Sequence, residues 1–215
     1  MTAVKSRRYH APRRQEQAQS TRAAIVAAAR ELFAEHGYGA TTLARVATKA
    51  GVAVQTVYAV FGSKRAILSA LIDDMDAAVD VPTLVAAIRR TPEPREQLRL
   101  LVNLSAQIFA RGYDVIEILR GAGTSDPDLA DAWREGESRR RPGQAELVRR
   151  WAEAGALHPG LTTREATDVL WAMTGPDVYR LFVVENRWSN SRYQQWLTQL
   201  LTTSPPLGWR TWPLM

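Results

Sequence analysis

The residues best suited to recognise another molecule lie side by side at Gln55 and Thr56. Both fall in the first turn of a predicted short helix, on the face opposite the apolar residues Val57 and Phe61. A glutamine amide can make two hydrogen bonds to an adenine edge, and a threonine offers a hydroxyl or a contact with a thymine methyl. The pair therefore has the chemistry of base recognition in the DNA major groove. The alternative is that both residues are simply solvated.

Lys64 gives an independent indication, because it stands with Arg65 in the first turn of the next predicted helix. The helix macrodipole disfavours a cation at that end by about 0.3–1 kcal/mol. A DNA phosphate placed against Lys64 and the adjoining backbone N–H groups would compensate for this cost. A lysine that is only solvated is the alternative.

Residues for catalysis or metal binding are not grouped in this sequence. The chain has no cysteine, and its three histidines, His10, His36 and His158, are dispersed. The glycines of Gly37-Tyr38-Gly39 lack the third glycine and the preceding strand of a dinucleotide-binding loop. We therefore predict no catalytic residue, no metal ligand and no cofactor. An enzyme is the alternative class of protein.

The net charge of +6 is unevenly distributed along the chain. Residues 1–65 contain eleven basic and three acidic side chains, a formal charge of +8, which leaves −2 for the remaining residues. A basic N-terminal region followed by a mildly acidic remainder favours a module that meets a polyanion, with nucleic acid favoured over a membrane surface.

Glycines and hydroxyl residues divide the N-terminal third into short helices. Ser20 or Thr21 is the predicted N-cap of a first helix that ends at Gly37, and Thr41 or Thr42 caps a second that ends at Gly51. A third helix follows after only a few residues, which is the organisation of a helix-turn-helix. Ser63 then caps a fourth, longer helix.

The rest of the chain keeps a helical period and shows no alternating strand pattern, so we predict an all-α protein. Helices are expected near 83–90, 95–111 and 114–121, and from Asp126 to about Ala154 with an interruption at Pro142-Gly143. The capping box at residues 162–165 opens another helix, which Gly175-Pro176 should kink before it ends around Trp188. A last amphipathic helix follows Ser189.

Residues 20–72 resemble the DNA-binding domain of TetR-family regulators. The resemblance rests on the following residues, taken together: Ile25 to Phe33, Gly37-Tyr38-Gly39, Thr42, Val46-Ala47, Ala50-Gly51-Val52, Thr56-Val57-Tyr58, Phe61, Lys64 and Leu68. It implies an N-terminal three-helix helix-turn-helix domain joined to a larger helical domain that binds a ligand and dimerises. The predicted organisation is a basic disordered arm at 1–19, a DNA-binding domain at 20–78 with its motif at about 42–61, and an effector-binding and dimerisation domain at 79–215.

The resemblance also implies roles for individual residues. Tyr58 and Lys64 would contact DNA phosphates, as would Thr42 and also Thr41. For Tyr58 the alternative is a half-buried packing tyrosine. Two residues depart from the family pattern: Ala53 stands where a serine often caps the recognition helix, and Val60 stands where histidine is frequent. The missing cap would cost about 1 kcal/mol.

A homodimer and a small-molecule effector complete the predicted function, which is that of a repressor released from a palindromic double-stranded operator. Apolar stripes on the last two helices form the predicted dimer interface: Val169, Leu170, Met173, Tyr193, Trp196, Leu197, Leu200 and Leu201. The ligand-binding residues are not predicted. A large helical domain suits an effector cavity, whereas an architectural DNA-binding protein without a ligand is the alternative.

The chain has no apolar run long enough to cross a bilayer, and its charged N-terminus is not followed by an apolar segment. We therefore expect no membrane partner and no secretory signal. A cytoplasmic protein is the resulting expectation.

Overall fold

The structure, a computed structural model, describes residues 11–121 and 127–203. Every regular element in these ranges is helical, which confirms the predicted all-α fold. No helix in the described ranges is long and apolar enough to span a membrane. The elements are α1 Ala11–His36, α2 Leu43–Ala50, α3 Val54–Phe61, α4 Lys64–Val79, α5 Val81–Arg90, α6 Pro94–Gly121, α7 Pro127–Glu153, α8 Thr163–Met173, α9 Pro176–Tyr179, a π-helical segment Arg180–Glu185, and α10 Asn190–Thr203.

Helix α1 begins well before the predicted N-cap at Ser20 or Thr21. The prediction that residues 1–19 form a disordered arm is therefore wrong for 11–19, and residues 1–10 lie outside the described range. Pro12 stands in the first turn of α1, where proline is common, and the Ala, Gln, Glu and Arg residues that follow favour a helix. The helix can therefore begin before Thr21. Residues 13–20 are exposed, so no apolar period marks this part of the helix in the sequence.

The described residues form two compact units. One unit contains residues 11–74 together with 117–121 and 127–130, and the other contains 75–116 and 131–203. The division falls within α4, close to the predicted boundary between 78 and 79. The first unit also includes the end of α6 and the start of α7, which no local sequence pattern indicates.

The first unit is built on the apolar faces of α1, α2 and α3. Ile25, Ala29 and Phe33 of α1 are fully or almost fully buried, as are Val46 of α2 and Val57 of α3. Gly51 has a φ of 68°, the left-handed conformation that glycine adopts without strain. The N–H groups of Gly51 and Val52 then bond carbonyl oxygens of α2, so the chain turns tightly from α2 into α3.

The second unit has a large apolar core in which the buried side chains of Trp151 and Gln97 are hydrogen-bonded. The indole N–H of the buried Trp151 donates to Gln97 Oε1 at 2.5 Å, and Gln97 Nε2 donates to the carbonyl of Thr91 at 2.6 Å. Helix α8 begins with the predicted capping box, in which Thr162 Oγ1 accepts from the N–H of Glu165 at 3.2 Å. The hydroxyl and N–H of Thr162 lower the pKa of Glu165.

Helix breaks follow the predicted positions only in part. α8 ends before Gly175 and α9 begins at Pro176, which confirms the predicted interruption. The break predicted between 111 and 114 is confirmed, because Gly112 has the non-helical angles φ −132° and ψ 19° and divides α6 into two helical parts joined by a kink. Pro142 does not interrupt α7.

The predicted dimer interface is wrong for half of its residues. Leu170, Tyr193, Leu197 and Leu201 are at most 1% exposed within the single chain, because they face this chain's own core. Val169, Met173, Trp196 and Leu200 pack against the edge of that core and are only half-buried. An apolar stripe on a helix marks a buried face, and here much of that face is covered by the same chain.

Candidate DNA-binding surface

Helix α3 presents polar and aromatic side chains to solvent while its inner face is anchored in the core. Val57 is fully buried, whereas Gln55 is exposed and Tyr58 is 55% exposed. Thr56 is half-buried. The exposure of Tyr58 argues against a purely packing role for this residue. Val60, 40% exposed, adds an apolar side chain to the outer face.

The departure at Ala53 has a visible consequence at the start of α3. Ala53 occupies the N-cap with extended backbone and provides no side-chain hydrogen bond. Its carbonyl still accepts from the N–H groups of Thr56 and Val57 at 2.9 and 3.4 Å, so the first turn closes without a capping side chain. The helix begins at Val54, and the two predicted base-contacting residues lie in its first turn.

The two threonines before α2 have separate roles. Thr42 is exposed and caps α2, its Oγ1 accepting from the N–H of Arg45 at 3.2 Å. Thr41 is 1% exposed. Its hydroxyl is within donating distance of two carbonyl oxygens, that of Gly37 at 2.9 Å and that of Leu32 at 3.2 Å. The predicted phosphate contact of Thr41 is therefore wrong, because this hydroxyl points into the protein and fastens the end of α1.

Lys64 connects the start of α4 to the turn after α1. Its Nζ donates to the carbonyl of Tyr38 at 2.8 Å and lies 4.1 Å above the centre of the Tyr38 ring. That ring packs against Phe33 with a centroid separation of 5.0 Å. The carbonyl and the ring compensate for a cation in the first turn of a helix, so this placement does not by itself require a phosphate. Ser63 caps α4 as predicted, accepting from the N–H of Ala66 at 3.1 Å.

The role of Tyr38 was not foreseen from the sequence. Tyr38 is 2% exposed and supplies both the carbonyl and the ring that hold Lys64. The available signal was its position between Gly37 and Gly39, where an aromatic side chain stands in an otherwise small-residue turn.

Other basic side chains near the motif differ in how far they are neutralised. Lys49 Nζ lies 2.7 Å from a carboxylate oxygen of Glu31 and 3.8 Å from one of Glu35. The hydrogen bond with Glu31 is the main cause that raises the pKa of Lys49. Arg22 lies over the Phe61 ring at 5.2 Å and 3.9 Å from Asp74. Arg45, in the first turn of α2, is exposed.

A second surface of interest lies on the π-helical segment. Leu181 and Val184 are 42% and 47% exposed, unusual values for large apolar side chains. Phe182, between them, packs against Trp196 and Trp188 with centroid separations of 4.2 and 4.8 Å. These five residues form what we call the aromatic–aliphatic face. Sequence periodicity missed its π-helical part because the predicted helix assumed 3.6 residues per turn throughout.

The described residues also include a surface groove. A groove of about 640 Å³ runs along α7, but its lining residues, including Trp133, Glu137 and Arg141, all belong to that one helix, and it is open to solvent. In the described ranges, no group of three or more His, Asp or Glu side chains is placed to hold a metal ion.

Comparison with known proteins identifies the N-terminal part of the chain. Residues 25–71 match the model of the family described as bacterial regulatory proteins, tetR family. The chain is 28% identical over 180 residues to the HTH-type transcriptional regulator YdeS of Bacillus subtilis, covering 80% of this chain and 84% of that protein. It is 40% identical over 68 residues to TtgR of Pseudomonas putida, about 32% of each chain.

The fold of the whole chain agrees with this match. The crystal structure of NalD, a repressor of a multidrug efflux pump in Pseudomonas aeruginosa, superposes with a TM-score of 0.71 at 23% identity. The superposition covers 86% of this chain and 94% of NalD. The related proteins regulate transcription and are not enzymes. Residues 25–71 are therefore similar to the DNA-binding region of the tetR family, and the chain as a whole is similar to helix-turn-helix transcriptional regulators.

Proposed function

We propose that the protein is a repressor that binds a palindromic operator as a homodimer and leaves the DNA when a small-molecule effector binds. The observation that carries this proposal is the outer face of α3. It exposes Gln55 and Tyr58, while the buried Val57 fixes the helix on the core of a basic unit. A rigidly held helix with an exposed polar face in a basic module is suited to the major groove.

In this proposal the DNA contacts divide into two kinds. Gln55 and Thr56 read base edges from the first turn of α3, and Tyr58 and Thr42 bond phosphates from exposed positions. Lys64 uses one of its three N–H groups on the carbonyl of Tyr38, which leaves two donors for a phosphate. Lys64 would thus hold the motif together and contact the backbone of the DNA at once.

For the dimer, the aromatic–aliphatic face replaces the interface predicted from the sequence. Exposed Leu181 and Val184, beside the ring cluster of Phe182, Trp188 and Trp196, supply the apolar contact that symmetric pairing requires. Half-buried Leu200 lies one turn beyond Trp196 on α10 and extends the same contact.

An effector suits the large helical unit that follows the DNA-binding unit. Structures of the same fold are described with different ligands: FadR of Bacillus subtilis with stearoyl-CoA, SmeT with triclosan, and a regulator from Saccharomonospora viridis with choline. The fold therefore accepts ligands of several chemical types, and the effector must be identified from this chain's own residues. Operator binding places the protein in the cytoplasm.

Selection of binding sites from random duplex DNA tests the proposal. We expect an inverted repeat with half-sites about one helical turn apart. Gln55→Ala should relax the preference at one base position of each half-site, at a cost of about 1–3 kcal/mol. Gln195→Ala, which removes an exposed glutamine from α10, is the matched control and should leave the selected sequence unchanged. Recovery of asymmetric or sequence-indifferent DNA would contradict the proposal.

A further inference from the structure

Four aromatic rings meet in the interior of the helical unit. Tyr179, at the end of α9, lies 5.2 Å from Phe109, 5.8 Å from Tyr113 and 5.4 Å from Tyr193, measured between ring centroids. Tyr179 and Tyr193 are 4% and 1% exposed. We call this set the aromatic cluster. It joins α6, α9 and α10 in one apolar region.

One polar atom inside this cluster has no partner. The hydroxyl of Tyr193 is buried and makes no hydrogen bond. Elsewhere in the same unit the buried side chains of Trp151 and Gln97 bond each other, whereas Gln144 Oε1 and Asn190 Oδ1 are also without a partner. An unpaired buried hydroxyl is unfavourable, since burial removes its bonds to water without replacing them. The Tyr193 hydroxyl is distinguished by the aromatic rings around it, and a ligand that offered it a hydrogen bond would remove this cost.

Two further unpaired atoms lie in the same unit, Gln144 Oε1 and Asn190 Oδ1. Gln144 is 3% exposed, and its Nε2 donates to Thr174 Oγ1 at 2.9 Å, while its Oε1 is buried without a partner. All three unpaired atoms belong to neutral groups. Burial raises the pKa of Tyr193, with a further contribution from nearby Tyr179, so this hydroxyl keeps its proton at neutral pH.

The surroundings favour an uncharged ligand. The buried polar residues of the described chain, apart from tyrosines, are threonine, serine and glutamine only. A ligand carboxylate or ammonium group placed there would lose its hydration without meeting an opposite charge, which is strongly unfavourable. A neutral molecule that fills apolar space and offers one hydrogen-bonding group meets no such penalty.

A π-helical segment borders the aromatic cluster. Tyr179 is followed directly by the π-helical segment, across which Arg180 and Glu185 form an ion pair five residues apart. π-Helical turns are less regularly packed than α-helical turns and are frequent at functional sites.

We propose that the effector is a neutral, largely apolar aromatic molecule with one hydroxyl group, bound within the aromatic cluster and hydrogen-bonded to the Tyr193 hydroxyl. This inference rests on the proposed function for its regulatory meaning. The binding site itself rests on the unpaired hydroxyl and the rings around it.

The first test needs no ligand. Tyr193→Phe removes only the unpaired hydroxyl, so the free protein should unfold at the same temperature as the wild type or at a higher one. Ser191→Ala removes an exposed hydroxyl two residues earlier on α10 and is the matched control. A clear fall in the unfolding temperature of Tyr193→Phe alone would show that its hydroxyl is already satisfied, and would overturn the proposal.

The second test measures binding by calorimetry, without DNA, using 1-naphthol and 4-phenylphenol as probes. Both should bind the wild type and the Ser191→Ala variant, and Tyr193→Phe should weaken them about five- to tenfold, the effect of one lost hydrogen bond. Naphthalene should bind wild type and Tyr193→Phe equally, and 1-naphthoate should bind neither. Absence of binding by both phenols, or equal binding by both variants, would overturn the proposal.

A separate operator-release assay distinguishes the two proposals. If a phenol binds through Tyr193 but leaves operator affinity unchanged, the site stands and effector release fails. If another compound releases the operator while Tyr193→Phe responds as the wild type does, effector release stands and this site fails.

Discussion

Replacing Lys64 by methionine separates the two roles assigned to this residue. Methionine keeps an unbranched apolar side chain over the Tyr38 ring but loses the charge and the hydrogen bond to the Tyr38 carbonyl, which is 2.8 Å long. That carbonyl also accepts from the N–H of Thr41 at 3.2 Å, so the substitution does not leave it unpaired. The cost is therefore that of the lost interactions alone.

The expected magnitude follows from three contributions. A hydrogen bond from a charged donor contributes about 1.5–3 kcal/mol, and the lower part of this range applies because Lys64 is only half-buried. The cation–π contact adds about 0.5–1 kcal/mol at such a site. Removing a cation from the first turn of α4 returns about 0.5 kcal/mol. The net loss of stability should be about 1–2 kcal/mol.

Hydrogen exchange followed by mass spectrometry localises this loss. Amides in the turn containing Tyr38 and at the start of α4 should exchange about 5–30 times faster in Lys64→Met, the equivalent of 1–2 kcal/mol. Lys49→Met, which breaks an exposed ion pair with Glu31, is the control and should leave those amides nearly unchanged. Unchanged exchange in Lys64→Met would refute the role of Lys64 in holding the turn.

The phosphate contact has its own measurement. The logarithm of operator affinity plotted against the logarithm of salt concentration should flatten by about one unit per protomer in Lys64→Met. Lys64→Met should weaken specific and nonspecific DNA alike, because a phosphate contact carries no sequence information. An unchanged slope would refute the phosphate contact while leaving the result from hydrogen exchange intact.

Three further predictions concern the helical unit. Val184→Asp should give folded monomers by light scattering, whereas Leu197→Asp should unfold the unit because Leu197 is buried. A folded dimer of Val184→Asp would refute the aromatic–aliphatic face as the dimer contact. Gly112→Ala should lower the free energy of unfolding by about 1–3 kcal/mol in denaturant titrations, since the Cβ of the new alanine would lie 2.0 Å from Met75 Sδ. Adding Met75→Ala should recover part of this loss, and additive effects of the two substitutions would contradict the contact. The pKa of Tyr193 is raised in the fold, so stability should fall above about pH 10 as the unfolded tyrosine ionises, and less steeply in Tyr193→Phe.

The parts of the fold that sequence predicted are those fixed by local chemistry. Thr42, Gly51 and Ser63 end or begin helices through their own backbone angles and hydrogen bonds, so their positions could be read directly. The capping box of Thr162 and Glu165 is equally local. The early start of α1 was missed for the opposite reason, because exposed turns leave no apolar period and only helix propensity indicates them.

Residues whose role depends on a neighbour distant in sequence were not predictable in the same way. Thr41 and Thr42 are adjacent and chemically identical, yet one hydroxyl is buried against carbonyls of α1 and its turn while the other faces solvent. No local pattern separates them, since the difference arises from the packing of α1 against the start of α2. Lys64 and Tyr38 meet across twenty-six positions for the same kind of reason.

The predicted dimer interface included core residues because of a more general ambiguity. A helix that shows apolar residues every three or four positions must bury that face, but periodicity does not say which chain covers it. On α10, Tyr193, Leu197 and Leu201 form the inner line and are covered by the same chain, whereas Trp196 and Leu200 lie beside that line and remain half-buried. A stripe wide enough to include both lines therefore combines core residues with residues at the half-buried edge of the core. Separating them requires the intrachain contacts, and the exposed residues of the π-helical segment then show where the remaining apolar surface continues.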